Sequence, residues 1–171
     1  MRPHGAGVSR SASEPSSART NAVRILEIQR IPHEVRTFEA DPEHLDARTA
    51  AQALGLEEER VFKTLVARDE HSRVWVFCIP GPCELNLKKA AAAVNAKSLT
   101  LVRLAELQSL TGYIRGACSP IGMKRAFPTF IDETALLFEH ICVSAGQRGV
   151  QLLIAARDLA ELIGARFGDL A

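Results

Sequence analysis

The sequence predicts an α+β fold, a single domain built round one mixed sheet. Short strand-like runs and short helical stripes alternate without a regular βαβ repeat. The chain has 171 residues, enough for one domain with a real core. Hydrophobic residues make up 47% and charged residues 24%, the ordinary globular mix, and with one Trp and one Tyr the core must be largely aliphatic.

Residues 1–20 hold five serines with Arg2, Arg10, Arg19, Pro3 and Pro15 and almost no large apolar side chain. Such a segment cannot bury enough surface to offset its ordering entropy, so it is expected to be a disordered extension, with the domain over 21–171. Val23, Ile25, Leu26 and Ile28 form a helical stripe that Pro32 stops. Residues 35–39 are expected as a strand, and Asp46 should cap a helix that runs to Leu54 and closes at Gly55. Residues 61–66 and 73–79 are the strongest strand signals, antiparallel neighbours joined across 69–72. Asn86 should cap a helix over 87–94, followed by a short strand at 99–102 and a helix at 104–110 that Thr111-Gly112 ends. Further strands are expected at 127–131, 141–144 and 150–154, and a last helix at 157–163.

Several function classes are disfavoured. The formal net charge of +1 is no signature of a surface that coats DNA or RNA, although a local basic patch could dock an RNA end. DNA and membrane partners are not expected, since no apolar run approaches the length of a span. Cys78, Cys83, Cys118 and Cys142 are scattered, and no secretory apolar region opens the chain, so they are expected as free thiols in a cytoplasmic protein.

Lys63 stands out within Val61-Phe62-Lys63-Thr64-Leu65-Val66. Side chains alternate across a strand, so Lys63 shares a face with Val61 and Leu65. A lysine there must reach water, a partner charge or a ligand. The strand pattern alone leaves two fates open, an edge lysine that snorkels to solvent or a lysine at a pocket wall. The second notable segment is Gly116-Ala117-Cys118-Ser119-Pro120-Ile121-Gly122, a loop whose backbone could approach a ligand and offer N–H groups to an oxygen. Lys124 and Arg125 follow it and add positive charge.

Three chemistries fail on spacing. A phosphate loop needs G-x-x-x-x-G-K-[ST], but five residues separate Gly116 from Gly122 and Met123 precedes Lys124. Pro82-Cys83 lacks the second cysteine of a zinc deaminase, because Asn86 occupies its place. The five histidines form no ligand spacing, so neither a metal nor another cofactor is expected. Cys118 and Ser119 are weak nucleophile candidates with no neighbouring histidine in sequence. Ser144-Ala145-Gly146-Gln147-Arg148-Gly149 is expected as a hairpin turn that could also line a pocket.

These pieces occur together and in order. Val61-Phe62-Lys63-Thr64-Leu65, Leu85-Asn86-Leu87-Lys88-Lys89-Ala90, Thr111-Gly112-Tyr113, the Gly116 to Gly122 loop, Pro128-Thr129-Phe130-Ile131-Asp132 and Val143 to Gly149 make the chain resemble the YbaK/EbsC family of aminoacyl-tRNA editing domains. The resemblance implies a barrel-like mixed sheet flanked by helices, and a hydrolase that cleaves the ester joining a wrong amino acid to tRNA. It implies catalytic roles for Lys63 and Gly116, and substrate contacts from Phe38, Thr64, Ala117, Cys118, Ser119, Pro120, Ser144, Ala145 and Gln151. It implies tRNA contacts from Lys88, Lys89, Lys124, Arg125 and Arg148. The stand-alone members are similar to Cys-tRNA(Pro) deacylases, in which the substrate's own thiol attacks the ester. The implied partners are the acceptor end of aminoacyl-tRNA and prolyl-tRNA synthetase. Phe38 stands where that branch often carries tyrosine, Gln151 where it often carries aspartate, and Ala117 where it carries a second loop glycine. Two alternatives therefore accompany the deacylase expectation: a deacylase for Ala, Ser or Thr, and a non-catalytic module that binds tRNA or the synthetase.

Overall fold

The computed structural model describes residues 19–171. The expectation for the N-terminal extension otherwise lies outside that range. Thr20 is already part of the folded unit, since its Oγ1 accepts from the Val23 N–H at 3.2 Å and caps α1 (Asn21–Ile28). The expected helices are all present. Asp46 caps α2 (Ala47–Leu54) by accepting from the Thr49 N–H at 2.8 Å, and Gly55 ends it at φ 65°. Asn86 caps α3 (Leu87–Ala93) in the same way through the Lys89 N–H. Such caps satisfy backbone donors that the first turn leaves unpaired, worth about 1 kcal/mol each. Two further helices, α4 (Leu104–Thr111) and α5 (Ala156–Ile163), each end at a left-handed glycine.

The strands divide between two sheets rather than one. The smaller has the order β1-β7-β6, from His33–Thr37, Val150–Ile154 and Ile141–Gln147, and is antiparallel throughout. The larger has the order β4-β2-β3-β5-β8, from Leu99–Leu101, Phe62–Asp69, Val74–Pro80, Thr129–Asp132 and Arg166–Gly168. It is mixed: β2 is antiparallel to β3 and β4, whereas β3, β5 and β8 run parallel. A single bridge between Val61 and Cys142 links the two sheets. The architecture is thus α+β, with two sheets in place of the expected single barrel-like one and no closed barrel among the described residues.

Several strand boundaries differ from expectation: β2 runs on to Asp69, β6 runs on to Gln147 through most of the segment expected as a turn, and β1 and β5 are shifted for local reasons. β1 ends at Thr37 because its pairing ends where Gly149 turns the partner strand, although the Phe38 N–H still donates to the Gly149 carbonyl at 2.9 Å. β5 starts at Thr129 because Pro128 has no N–H for the ladder, while its carbonyl accepts from Val76. β8 was not expected: a three-residue run carries no readable alternation, and it forms only because β5 offers a free edge.

The hairpin between β2 and β3 turns on Asp69. Its buried carboxylate accepts from the His71 N–H, the Arg73 N–H and guanidinium and the Trp75 indole at 2.7–3.0 Å. Burial opposes its ionisation, but those hydrogen bonds prevail and hold the carboxyl well below the usual carboxylate range. One face of the hairpin places Leu65, Ala67, Phe77 and Ile79 against Ala90 and Ala91 of α3 and Val94, which follows it. The opposite face contributes Phe62 and Cys78 to the main core, which α1, α5 and the smaller sheet complete. A third cluster, Ala50, Ala51, Val61, Cys142 and Leu153, fixes α2 over the junction between the sheets.

Candidate active site

Strand β4 pairs with β2 only through Ala67–Asp69, so residues 62–65 of β2 have no strand partner on that side. A cleft of about 710 Å³ opens along this stretch. Its walls come from β2, the segment leading into α2, Gly81-Pro82 after β3, the β4–α4 segment, the loop at 115–118 and the β6–β7 turn.

Lys63 lines this cleft and is half-buried. It pairs with Ile79 across the hairpin, on the face that otherwise packs beneath α3. Its Nζ donates to the Gly81 carbonyl at 3.1 Å. Lysine carries three N–H donors, so this bond fixes the ammonium and leaves two for a ligand. Gly81 permits the approach. A Cβ there would lie 2.6 Å from the Ala47 Cβ and 3.1 Å from the Val61 carbonyl oxygen. The snorkelling fate therefore gives way to a lysine tethered at a pocket wall.

Gly116 also lines the cleft, at φ 82°, with Leu45 packed where its Cβ would be. Cys118 lines it too, and burial pushes its thiol up to about 11 against a hydrogen bond with Thr111 that lowers it. A thiol so displaced is protonated at neutral pH and is a poor nucleophile. Tyr113, beside the loop, donates its hydroxyl to the Ile121 carbonyl at 2.5 Å, and burial raises it to about 12. It braces the loop and stays protonated.

Phe38, Thr64, Ser144 and Gln151 reach the cleft as expected positions. Thr64 Oγ1 and Cys78 Sγ lie 3.8 Å apart, Ser144 Oγ accepts from the Gly146 N–H at 3.1 Å, and Gln151 Oε1 accepts from the Cys142 thiol at 3.6 Å. Four expected contacts do not reach its walls. Ala117, Ala145 and Pro120 are buried, and the buried Ser119 hydroxyl accepts from the Ile121 N–H at 3.2 Å.

The expected tRNA contacts scatter. Arg148 lines the cleft and donates its Nε to the Arg115 carbonyl at 3.1 Å. Lys88 and Lys89 lie on exposed α3, where Lys89 Nζ bonds Asp169 and the Ala171 carbonyl. Lys124 packs its stem against Gly112, and Arg125 stacks over Phe127. None of these four is part of the cleft wall. Sequence reasoning missed Leu45 and Arg115, which line the cleft from segments with no strand or helix periodicity to flag them, and Arg48, which lies in the expected helix α2 but belongs to no motif.

The matched family model describes an aminoacyl-tRNA editing domain and covers residues 41–162. The chain belongs to the aminoacyl-tRNA editing domain family. It is 40% identical over 159 residues, 93% of this chain and 97% of the relative, to EbsC of Enterococcus faecalis, named as a candidate Cys-tRNA(Pro)/Cys-tRNA(Cys) deacylase. It is 31% identical over 110 residues to the proline–tRNA ligase of Shouchella clausii, matching 64% of this chain but 19% of the ligase. Among solved structures it resembles a candidate trans-editing enzyme for prolyl-tRNA synthetase, with TM-score 0.76, 28% identity and coverage of 92% of this chain and 98% of that one. No helix among the described residues is long and apolar enough to cross a membrane.

Proposed function

We propose that this editing domain acts in trans to hydrolyse mischarged aminoacyl-tRNA, with Cys-tRNA(Pro) as the leading substrate. The observation that carries the reading is Lys63, held by the Gly81 carbonyl in the wall of a cleft that also contains Gly116. Kinship with EbsC supports the cysteinyl substrate, and kinship with proline–tRNA ligases supports prolyl-tRNA synthetase as a partner.

Lys63 acts as a substrate-positioning cation. Its remaining donors hold the ester or ribose oxygens in one geometry, converting binding into orientation. Backbone N–H groups of the loop at Gly116 would stabilise charge on the carbonyl oxygen. The attacking group comes from the substrate's thiol or from water, because Cys118 is held protonated and Ser144 has no histidine partner among the described residues. Attack at the carbonyl carbon breaks its bond to the ribose oxygen, which takes up a proton and leaves as the free tRNA hydroxyl. If the thiol attacks, water then opens the resulting thioester and returns free cysteine.

A panel of mischarged tRNAs tests this. Turnover of Cys-tRNA(Pro) above background is expected, and Lys63→Ala should lower it about 100-fold or more, the scale of a lost oxyanion-type contact. Absence of turnover on every member, with tRNA or synthetase still bound, would replace this reading by that of a non-catalytic module.

A further inference from the structure

The cleft is larger than its proposed reaction demands. At about 710 Å³ it has the capacity of a site for a drug-sized ligand, far beyond a small aminoacyl group. Its surplus wall is apolar. Leu101, Val102, Leu104 and Leu107 line it from the β4–α4 segment, and Leu101 and Leu104 are 46% and 62% exposed. Single exposed leucines are ordinary, but several sharing one concave wall mark a surface that something covers.

We propose that this leucine wall seats the terminal nucleobase of the tRNA acceptor end. The proposal rests on the deacylase reading. The position of the wall is set by β2. The Val102 N–H donates to the Val66 carbonyl at 3.0 Å, and Ala67 pairs with Leu101. The wall therefore starts three residues along the strand from Lys63, about 10 Å at roughly 3.3 Å per residue. That is the length of a nucleoside. An ester held at Lys63 would place its own ribose and base along β2 toward the leucines.

The chemistry of the wall suits the same ligand. Every base has an apolar face, and stacking on a hydrophobic surface is indifferent to sequence. An undiscriminating seat is sufficient, because the terminal nucleotide is common to all tRNAs and selection must be made elsewhere. Charge complements this at other walls of the cleft. Arg115 and Arg148 come from two loops that the Arg148 Nε bond to the Arg115 carbonyl ties together, and they suit the preceding phosphates.

The test is an NMR-monitored titration of the full chain with the trinucleotide CCA, alongside steady-state kinetics on Cys-tRNA(Pro). Leu104→Ser and Leu101→Ser should each weaken CCA binding about tenfold, within the range for uncovering a large part of a leucine side chain. They should raise KM more than they lower kcat. Leu104→Met should restore binding to within about twofold of the parent, since it restores apolar cover without the leucine shape. No detectable CCA binding by the parent, or equal binding by the serine variants, overturns the proposal. If those variants turn over mischarged tRNA like the parent, the seat fails while the deacylase reading survives. If CCA binding depends on the leucines but no tRNA is deacylated, the seat survives and the deacylase reading fails. Unchanged CCA affinity with weakened binding to prolyl-tRNA synthetase would assign the wall to a protein partner, and would also overturn it.

Discussion

Replacing Gly116 by alanine separates two costs that a positive-φ glycine can conceal. Gly116 has φ 82°, and an added Cβ would lie 2.9 Å from the Leu45 Cβ and 3.1 and 3.2 Å from its methyl carbons. Gly55 provides the control, with φ 65° at the end of α2 and nothing within 4 Å of its built Cβ. At Gly55 only the left-handed backbone is penalised, about 1–2 kcal/mol, and the lower entropy of the unfolded chain returns about 0.4–1. Gly55→Ala should thus lose about 0.5–1 kcal/mol. Gly116→Ala carries the same net loss plus overpacking of about 1–3 kcal/mol, for a total near 1.5–4. The nearest atom is the Leu45 Cβ, which cannot rotate away, so the segment entering α2 must move.

The assay is urea denaturation of the parent and both variants, reading the midpoint at constant slope. A domain of ordinary stability, about 5–15 kcal/mol, remains folded through this loss, so turnover can be measured on the same samples. Turnover should fall further for Gly116→Ala than for Gly55→Ala, because the displaced segment is a cleft wall. Adding Leu45→Ala should give partial rescue, since it removes the methyl contacts and leaves the one at 2.9 Å. Equal destabilisation of Gly116→Ala and Gly55→Ala, within about 0.5 kcal/mol, would refute the packing of Leu45 as the reason for glycine at 116.

Two more outcomes follow from the titrating groups. Asp69 has a carboxyl held below its unfolded value, so its contribution is present above about pH 4 and is lost as pH falls further; thermal melts of Asp69→Asn should be lower than the parent at pH 7 and converge on it toward pH 2. Alkylation of Cys118 by iodoacetamide, followed by mass spectrometry, should rise with pH toward a midpoint near 11, and Cys118→Ala should lower turnover less than about tenfold; a midpoint near 8 with a far larger loss would make it the nucleophile.

The elements were legible where local chemistry decides them. Asp46 and Asn86 cap the helices they were expected to cap, and the pattern at 61–66 and 73–79 yields an antiparallel pair. What sequence hid was decided by distant partners. β8 forms because β5 has a free edge, and the division into two sheets follows from β2 pairing with β4 at one end and meeting β6 by side-chain packing, with one ladder bridge at Val61, just before β2. The same division governs the site. Lys63 was conspicuous because lysine violates the strand's own pattern, whereas Leu45, Arg48 and Arg115 violate none and join the cleft only through long-range packing. Ser119 illustrates the converse error. A polar residue in a glycine-rich loop looks available for chemistry, yet its hydroxyl is buried and spent on the Ile121 N–H, which holds the loop in shape. A motif therefore marks where the backbone must be special, and the side chains that face a ligand are selected by what the rest of the fold leaves uncovered. In this domain that is the stretch of β2 at residues 62–65, paired with β3 but without a strand on its other edge, and that open edge is what leaves room for the cleft.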